Sequence, residues 1–169
     1  MAKEITIGIT SIELQELNPT TGADVGTPFI FGDTLEDSFT MTTDEGTEVT
    51  INIEESSDPI YSNPGNTTTS ITWQSPNADP EQVAKLTGGT WDAEDGYSSP
   101  RKRITKEYEV TITTEQGNNV VFNRVKLTAY ADGNLGKNNA LMITANGTAL
   151  VPVTGLLGAY SFVPKPVTP

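Results

Sequence analysis

The chain has 169 residues, 10 of them basic and 22 acidic, for a formal charge of −12, and it contains neither His nor Cys. That length supports one domain with its own core. The missing imidazoles and thiols exclude a Ser–His–Asp triad, a Cys nucleophile, a histidine metal site and a disulfide, leaving paired carboxylates, Ser with Lys, or oxygen-ligated metals.

The charge is unevenly placed. No Lys or Arg lies between Lys3 and Lys85, and that stretch carries 15 acidic residues; from Lys85 onward nine basic residues face seven acidic ones. An acidic half repels phosphates, whereas Arg101, Lys102, Arg103 and Lys106 form a basic patch suited to an acidic face, including that of an identical neighbour. The competing reading is a solvated acidic surface that aids solubility. Apolar content is low at 35%. With many Thr residues this suits thin β-structure with one wet face per sheet, or a protomer that completes its burial in an oligomer. There is no apolar run of about 18 residues, so no transmembrane helix is expected. The N-terminal residues lack a signal-peptide pattern, and the sequons at Asn66 and Asn146 then read as incidental.

In chain order, Glu4–Ile9 alternates with Ile5, Ile7 and Ile9 on one face, and the strand pattern continues through Ile12 and Leu14 to Leu17. Asn18–Gly22 is a loop by its turn chemistry. Phe29–Phe31 is a short apolar piece. Phe39 and Met41 alternate into a tight turn at Asp44-Glu-Gly46. Glu48–Glu54 follows, with Val49, Ile51 and Ile53 opposing Glu48, Thr50, Asn52 and Glu54, so a hairpin is expected here. Glu55–Thr69 reads as a long polar loop with an apolar centre at Pro59-Ile60-Tyr61, and loops of this length are often functional. Ser70–Gln74 resumes as a strand carrying Ile71 and Trp73.

One helix is predicted near Pro80–Thr87: Asp79 caps it, Pro80 suits its first turn, Glu81 complements its dipole and Gly88-Gly89 ends it. Thr90–Pro100 is expected as a loop. Tyr108, Val110 and Ile112 alternate with Glu107, Glu109, Thr111 and Thr113. A turn at Gln116–Asn119 leads to a long strand, Val120–Ala131, and a Gly/Asn loop spans Asp132–Asn139. Leu141–Ala145 and Thr148–Val153 are expected to form a last hairpin about an Asn146-Gly147 turn. The Pro-rich end, Phe162–Pro169, reads as an extended arm.

Several clusters invite chemistry. Trp91-Asp-Ala-Glu-Asp-Gly96 gathers three carboxylates that could hold calcium, but the spacing departs from an EF-hand, and an acidic turn is the simpler reading. Glu54-Glu55 or Asp92 with Glu94 could be a glycosidase pair, although chance pairs are expected in so acidic a chain. Trp73, Trp91 and Tyr97 could stack a sugar, or serve as core and interface residues. Arg101-Lys-Arg103 could grip nucleic acid, against the overall field; a subunit contact suits it better.

The strand ending Ile71-Thr-Trp-Gln-Ser75 is followed by Asp79-Pro-Glu-Gln-Val-Ala-Lys-Leu-Thr-Gly-Gly-Thr-Trp91. This combination resembles the tail tube (major tail) proteins of long-tailed bacteriophages, and the order of elements fits over roughly residues 35–155. The resemblance implies one mainly β domain, an antiparallel sandwich or barrel with one flanking helix. It carries an N-terminal arm and first strands (1–34), a long loop (55–69) and a C-terminal arm (156–169). It implies a virion protein, made in the host cytoplasm, that is not an enzyme and uses no cofactor and no membrane. Six copies would form a ring, and rings would stack into a tube that conducts DNA without binding it specifically. Its other partners would be tail components such as the tape measure, the terminator and the baseplate. The bore would be lined by Glu48, Thr50, Asn52, Glu54, Glu107, Glu109, Thr111 and Thr113. Subunit contacts would come from Pro59, Ile60, Tyr61, Arg101, Lys102, Arg103 and Lys106. Physics agrees with such a wall: cationic linings hold DNA, whereas acidic ones repel it. Two alternatives remain, a non-catalytic carbohydrate- or surface-binding β-sandwich and another virion or secretion-tube component of the same fold.

Overall fold

A computed structural model describes residues 5–52, 54, 58–102, 104–137, 139–153, 155 and 158–165. Of these, 54% lie in strands and 5% in helix, and every strand pairing is antiparallel, in a sandwich-like arrangement. The main sheet runs β2 (Asp24–Ile30), β1 (Ile7–Leu17), β9 (Lys106–Gln116), β10 (Asn119–Asp132), β11 (Met142–Ala149), β6 (Thr68–Ser75) and β3 (Thr40–Asp44). An eighth strand, β12 (Tyr160–Val163), pairs with the start of β10.

The alternating patterns decide the faces. Tyr108, Val110 and Ile112 of β9 are buried, as are Ile71 and Trp73 of β6. One core cluster joins them to Ile12 and Leu14 of β1, near the opposite end of the sheet order, so the sheet curls until its two limbs face each other. Phe31, just past β2, meets Trp73 edge-on with ring centroids 6.5 Å apart. Register shifts let two long strands keep a buried face while their hydrophobic parity changes. On β1 the shift falls between Ile9 and Ser11, so that the core-facing side passes from the partly buried Ile9 to the buried Ile12 and Leu14. On β10 it lies between Phe122 and Val125.

The helix α1 (Pro80–Thr87) forms where its signals predict. Asp79 Oδ1 accepts from the Glu81 N–H at 2.9 Å, and Gly88 closes the helix in the left-handed region at φ 78°. Val83 and Leu86 enter the core, so a helix too short to stand alone is held by burial.

Three expectations are corrected. The hairpin expected from Phe39–Met41 and Glu48–Glu54 does not form: β3 pairs with β6, and β4 (Val49–Ile51) pairs with β5 (Tyr61–Asn63). The described residues of 40–75 therefore form one long ribbon, and residues 61–63, 68 and 69 of the expected polar loop belong to its strands. Asn146-Gly147 is not a turn, because both residues lie inside β11. A Cβ on Gly147 would lie 2.5 Å from Val125 Cγ1 and 2.7 Å from Leu127 Cδ2, so Gly serves close packing here. Asn146 Oδ1 accepts from Thr72 Oγ1 at 2.8 Å across the strands. Residues 90–98 form a small hairpin, β7 (Thr90–Asp92) with β8 (Gly96–Ser98), instead of a loop. Towards the two ends of the chain, β1 sits between β2 and β9, and β12 pairs with β10.

Candidate assembly surface

The tip of the ribbon at residues 40–75 is a free-standing hairpin. All six residues of β4 and β5 are exposed. Its alternation is regular: Ile51 pairs with Tyr61 and Val49 with Asn63, which places Val49, Ile51 and Tyr61 on one face. They are 57%, 50% and 50% exposed, and Ile60 beside them is 61% exposed. The other face carries Glu48 and Thr50 opposite Ser62, whose hydroxyl donates to the Glu48 carboxylate. The period that marks a half-buried strand is thus present, but no described residue of this chain buries it.

A waist separates the tip from the sheet. A Cβ on Gly65 would lie 2.3 Å from the Gly46 carbonyl carbon, and one on Gly46 would lie 2.5 Å from the Asn66 carbonyl oxygen. The two backbones touch there, and only glycine fits on either side.

The residues expected to line a bore fall on two separate sheets. Glu48, Thr50, Asn52 and Glu54 belong to the exposed tip region, Glu54 in a turn. Glu107, Glu109, Thr111 and Thr113 lie together on the outer face of β9, half-buried. That outer face continues across the sheet as Thr128 of β10, Asn146 and Thr144 of β11 and Thr72 and Gln74 of β6. It is a broad face of hydroxyl and amide groups, with the exposed Lys126 of β10 among them, tied by bonds such as Gln74 Nε2 to Thr144 Oγ1 at 3.3 Å.

Its acidic members differ in role. Glu107 is bound by Arg124, whose Nε donates to Oε2 at 2.7 Å and whose Nη2 donates to Oε1 at 3.1 Å. The same guanidinium donates to the carbonyls of Val151 at 2.9 Å and Pro19 at 3.2 Å, so it fastens two connecting segments to the sheet. Glu109 has its carboxyl pushed above the ordinary range, first by burial and then by Asp24 and Glu13. A negative field is therefore concentrated where β1, β2 and β9 meet.

The expected subunit contacts also divide. Pro59, Ile60 and Tyr61 are exposed on the arm. Arg101 and Lys102 are exposed, whereas Arg103 lies outside the described residues. Lys106 is already paired, with its Nζ 3.0 Å from Glu16. Of the three candidate sugar-stacking rings, Trp73 is buried in the core, while Trp91 is 43% exposed and pairs across β7–β8 with Tyr97. Tyr97 is held by a bond between its hydroxyl and Thr87 Oγ1 at 2.9 Å. In the acidic turn, Asp92 Oδ1 accepts from the N–H groups of Glu94 at 2.8 Å and Asp95 at 3.4 Å, so this carboxylate caps its own turn. No cluster of three or more metal-ligating side chains occurs among the described residues. No helix among them is long and apolar enough to cross a membrane.

Sequence reasoning missed the fastening role of Arg124. Its signal, a lone Arg in an otherwise Val-rich strand, was available but had no partner visible in sequence. It also missed the continuity of the outer polar face, which exists only once four strands are in register. No model of a known protein family matches the chain, and no curated protein matches it.

Proposed function

We propose that this chain is a self-assembling structural subunit of a phage tail tube, building rings and stacks that conduct DNA. The observation that carries the reading is the β4–β5 pair at the tip, which has one apolar face that no described residue covers. Exposing such a face is costly for a monomer and useful for a subunit. The acidic half of the sequence and the hydroxyl- and amide-rich outer face support it: both suit a wall past which DNA slides. Six copies would carry a charge of about −72, opposing retention of phosphate. In this reading the protein resides in the virion and contacts other tail components at the ends of the tube.

The test is size and shape. Purified protein is expected to form rings or tubes as its concentration rises, seen by light scattering and negative-stain microscopy. A monomer at every concentration would remove the reading. The exposed Trp91 beside Tyr97 favours one alternative, a surface-binding β-sandwich. In that case the protein would stay monomeric and would bind a glycan with quenching of Trp fluorescence.

A further inference from the structure

Beside the basic patch the surface holds a recess of about 310 Å3, whose walls include Tyr97, Pro100, Tyr130 and Ala131, with Arg101 at its lining. It is roughly twice the ~150 Å3 that accommodates a benzene ring. The Tyr97 ring is fixed in place by its bond to Thr87. Arg101 and Lys102 form no ion pair among the described residues, unlike Lys85, Lys106 and Arg124. The patch therefore offers an aromatic-walled hole flanked by two uncommitted cations.

The arm tip is complementary. Its apolar face presents Tyr61 opposite Ile51, with Val49 alongside; Glu48, on the reverse face, and Glu54 flank the tip as exposed carboxylates. No basic residue occurs anywhere on the ribbon from 40 to 75. An aromatic anchor seated in a pocket with matching charges at its edge is the arrangement that concentrates binding energy and fixes orientation.

Resting on the assembly reading above, we propose that the β4–β5 tip of one copy docks into the Tyr97–Pro100–Tyr130 recess of a second copy, with Glu48 and Glu54 facing that copy's Arg101 and Lys102. Tip and recess are different surfaces of one chain, so the contact is heterologous. Repeated, it yields a closed ring or an open filament and not a two-fold dimer. The occupant of the recess is then a second copy of this chain, and the apolar face that no local residue covers is covered in the assembly.

The absence of cysteine allows a direct test. Asn63→Cys sits on the apolar face of the tip while sparing Tyr61, and Ser99→Cys lines the recess. Mixed under oxidising conditions, the two single variants are expected to cross-link to each other, and neither to itself. Tyr61→Ala in the Asn63→Cys chain should abolish the cross-link without changing the thermal transition of the subunit. Arg101→Glu with Lys102→Glu should raise the concentration needed for assembly about tenfold. Adding Glu48→Lys and Glu54→Lys to that chain should restore it. If assemblies form but the mixed cross-link does not, or if Asn63→Cys links only to itself, the docking is overturned while the assembly reading stands. Assembly of the Arg101/Lys102 variant at the normal concentration overturns it likewise. If the unmodified protein never assembles, both fall together.

Discussion

Arg124 donates to four acceptors from three parts of the chain, and its pairing with Glu107 leaves both side chains under one-fifth exposed. Removing one partner of a largely buried, bidentate pair strands the other, so Arg124→Ala is expected to cost about 2–4 kcal/mol of unfolding free energy in urea titrations. Arg124→Lys should recover only part of this, since an ammonium cannot reproduce the fork. Glu109 behaves oppositely. Its folded-state pKa is raised, chiefly by burial and then by Asp24 and Glu13. The folded state therefore holds this proton more tightly than the unfolded one. The associated stabilisation is fully present below the unfolded carboxyl range, near pH ~4, and is lost as pH rises through the folded value. Glu109→Gln should accordingly raise the thermal midpoint at pH 7 and change it little at pH 4; the effect is modest because the group is only half-buried. Tyr108 is buried and its hydroxyl has no hydrogen-bond partner among the described residues, while burial and then Glu16 push its phenol well above the usual range. Tyr108→Phe is thus expected to be neutral or slightly stabilising by the same measurement.

Among the elements, β6 and α1 were legible locally. The Ile71/Trp73 alternation and the Asp79–Pro80 start with a Gly88 end are signals that the chain carries within a dozen residues, and burial reinforces them. The ribbon at 40–75 was not. Asp44-Glu-Gly46 has turn chemistry, yet Gly46 is used to pass Gly65, a residue 19 positions away that no local pattern announces. Asn146-Gly147 misled for a related reason: the glycine answers to Val125, Leu127 and Ile71 on neighbouring strands, not to a turn. Gly147→Ala should therefore destabilise by about 1–3 kcal/mol through overpacking. Gly65→Ala should instead leave the core intact and change the direction of the arm, lowering assembly while the melting transition is retained. If Gly147→Ala proved silent, the close-packing account of β11 would be wrong.

At the scale of the whole molecule, the outer face of β9 connects the fold to the proposed passage of DNA. Unmodified protein is expected to show no duplex affinity at about 0.15 M salt, where screening reaches only about 8 Å. Thr111→Lys with Thr113→Lys places two cations per copy on that face. Duplex binding should then appear, with each contacted phosphate steepening the log–log salt dependence by about 0.9. Tight binding by the unmodified protein, measured by anisotropy of a labelled duplex, would count against the tube-lining role.

Composition, charge order and hydrophobic period determined by themselves that this chain is a cysteine- and histidine-free, mainly β protein with one short helix and an acidic first half. These are properties of individual residues and of neighbours along the chain, and they survive without knowledge of the partner strand. Only the tertiary structure decided which strands pair, that Glu107 is tied to Arg124 while Glu109 is crowded by other acids, and that the alternation at Val49–Ile51 ends in an uncovered face. Strand pairing, field and burial depend on contacts between residues tens of positions apart. A period-two pattern states only that one side of a strand is apolar, not what lies against it.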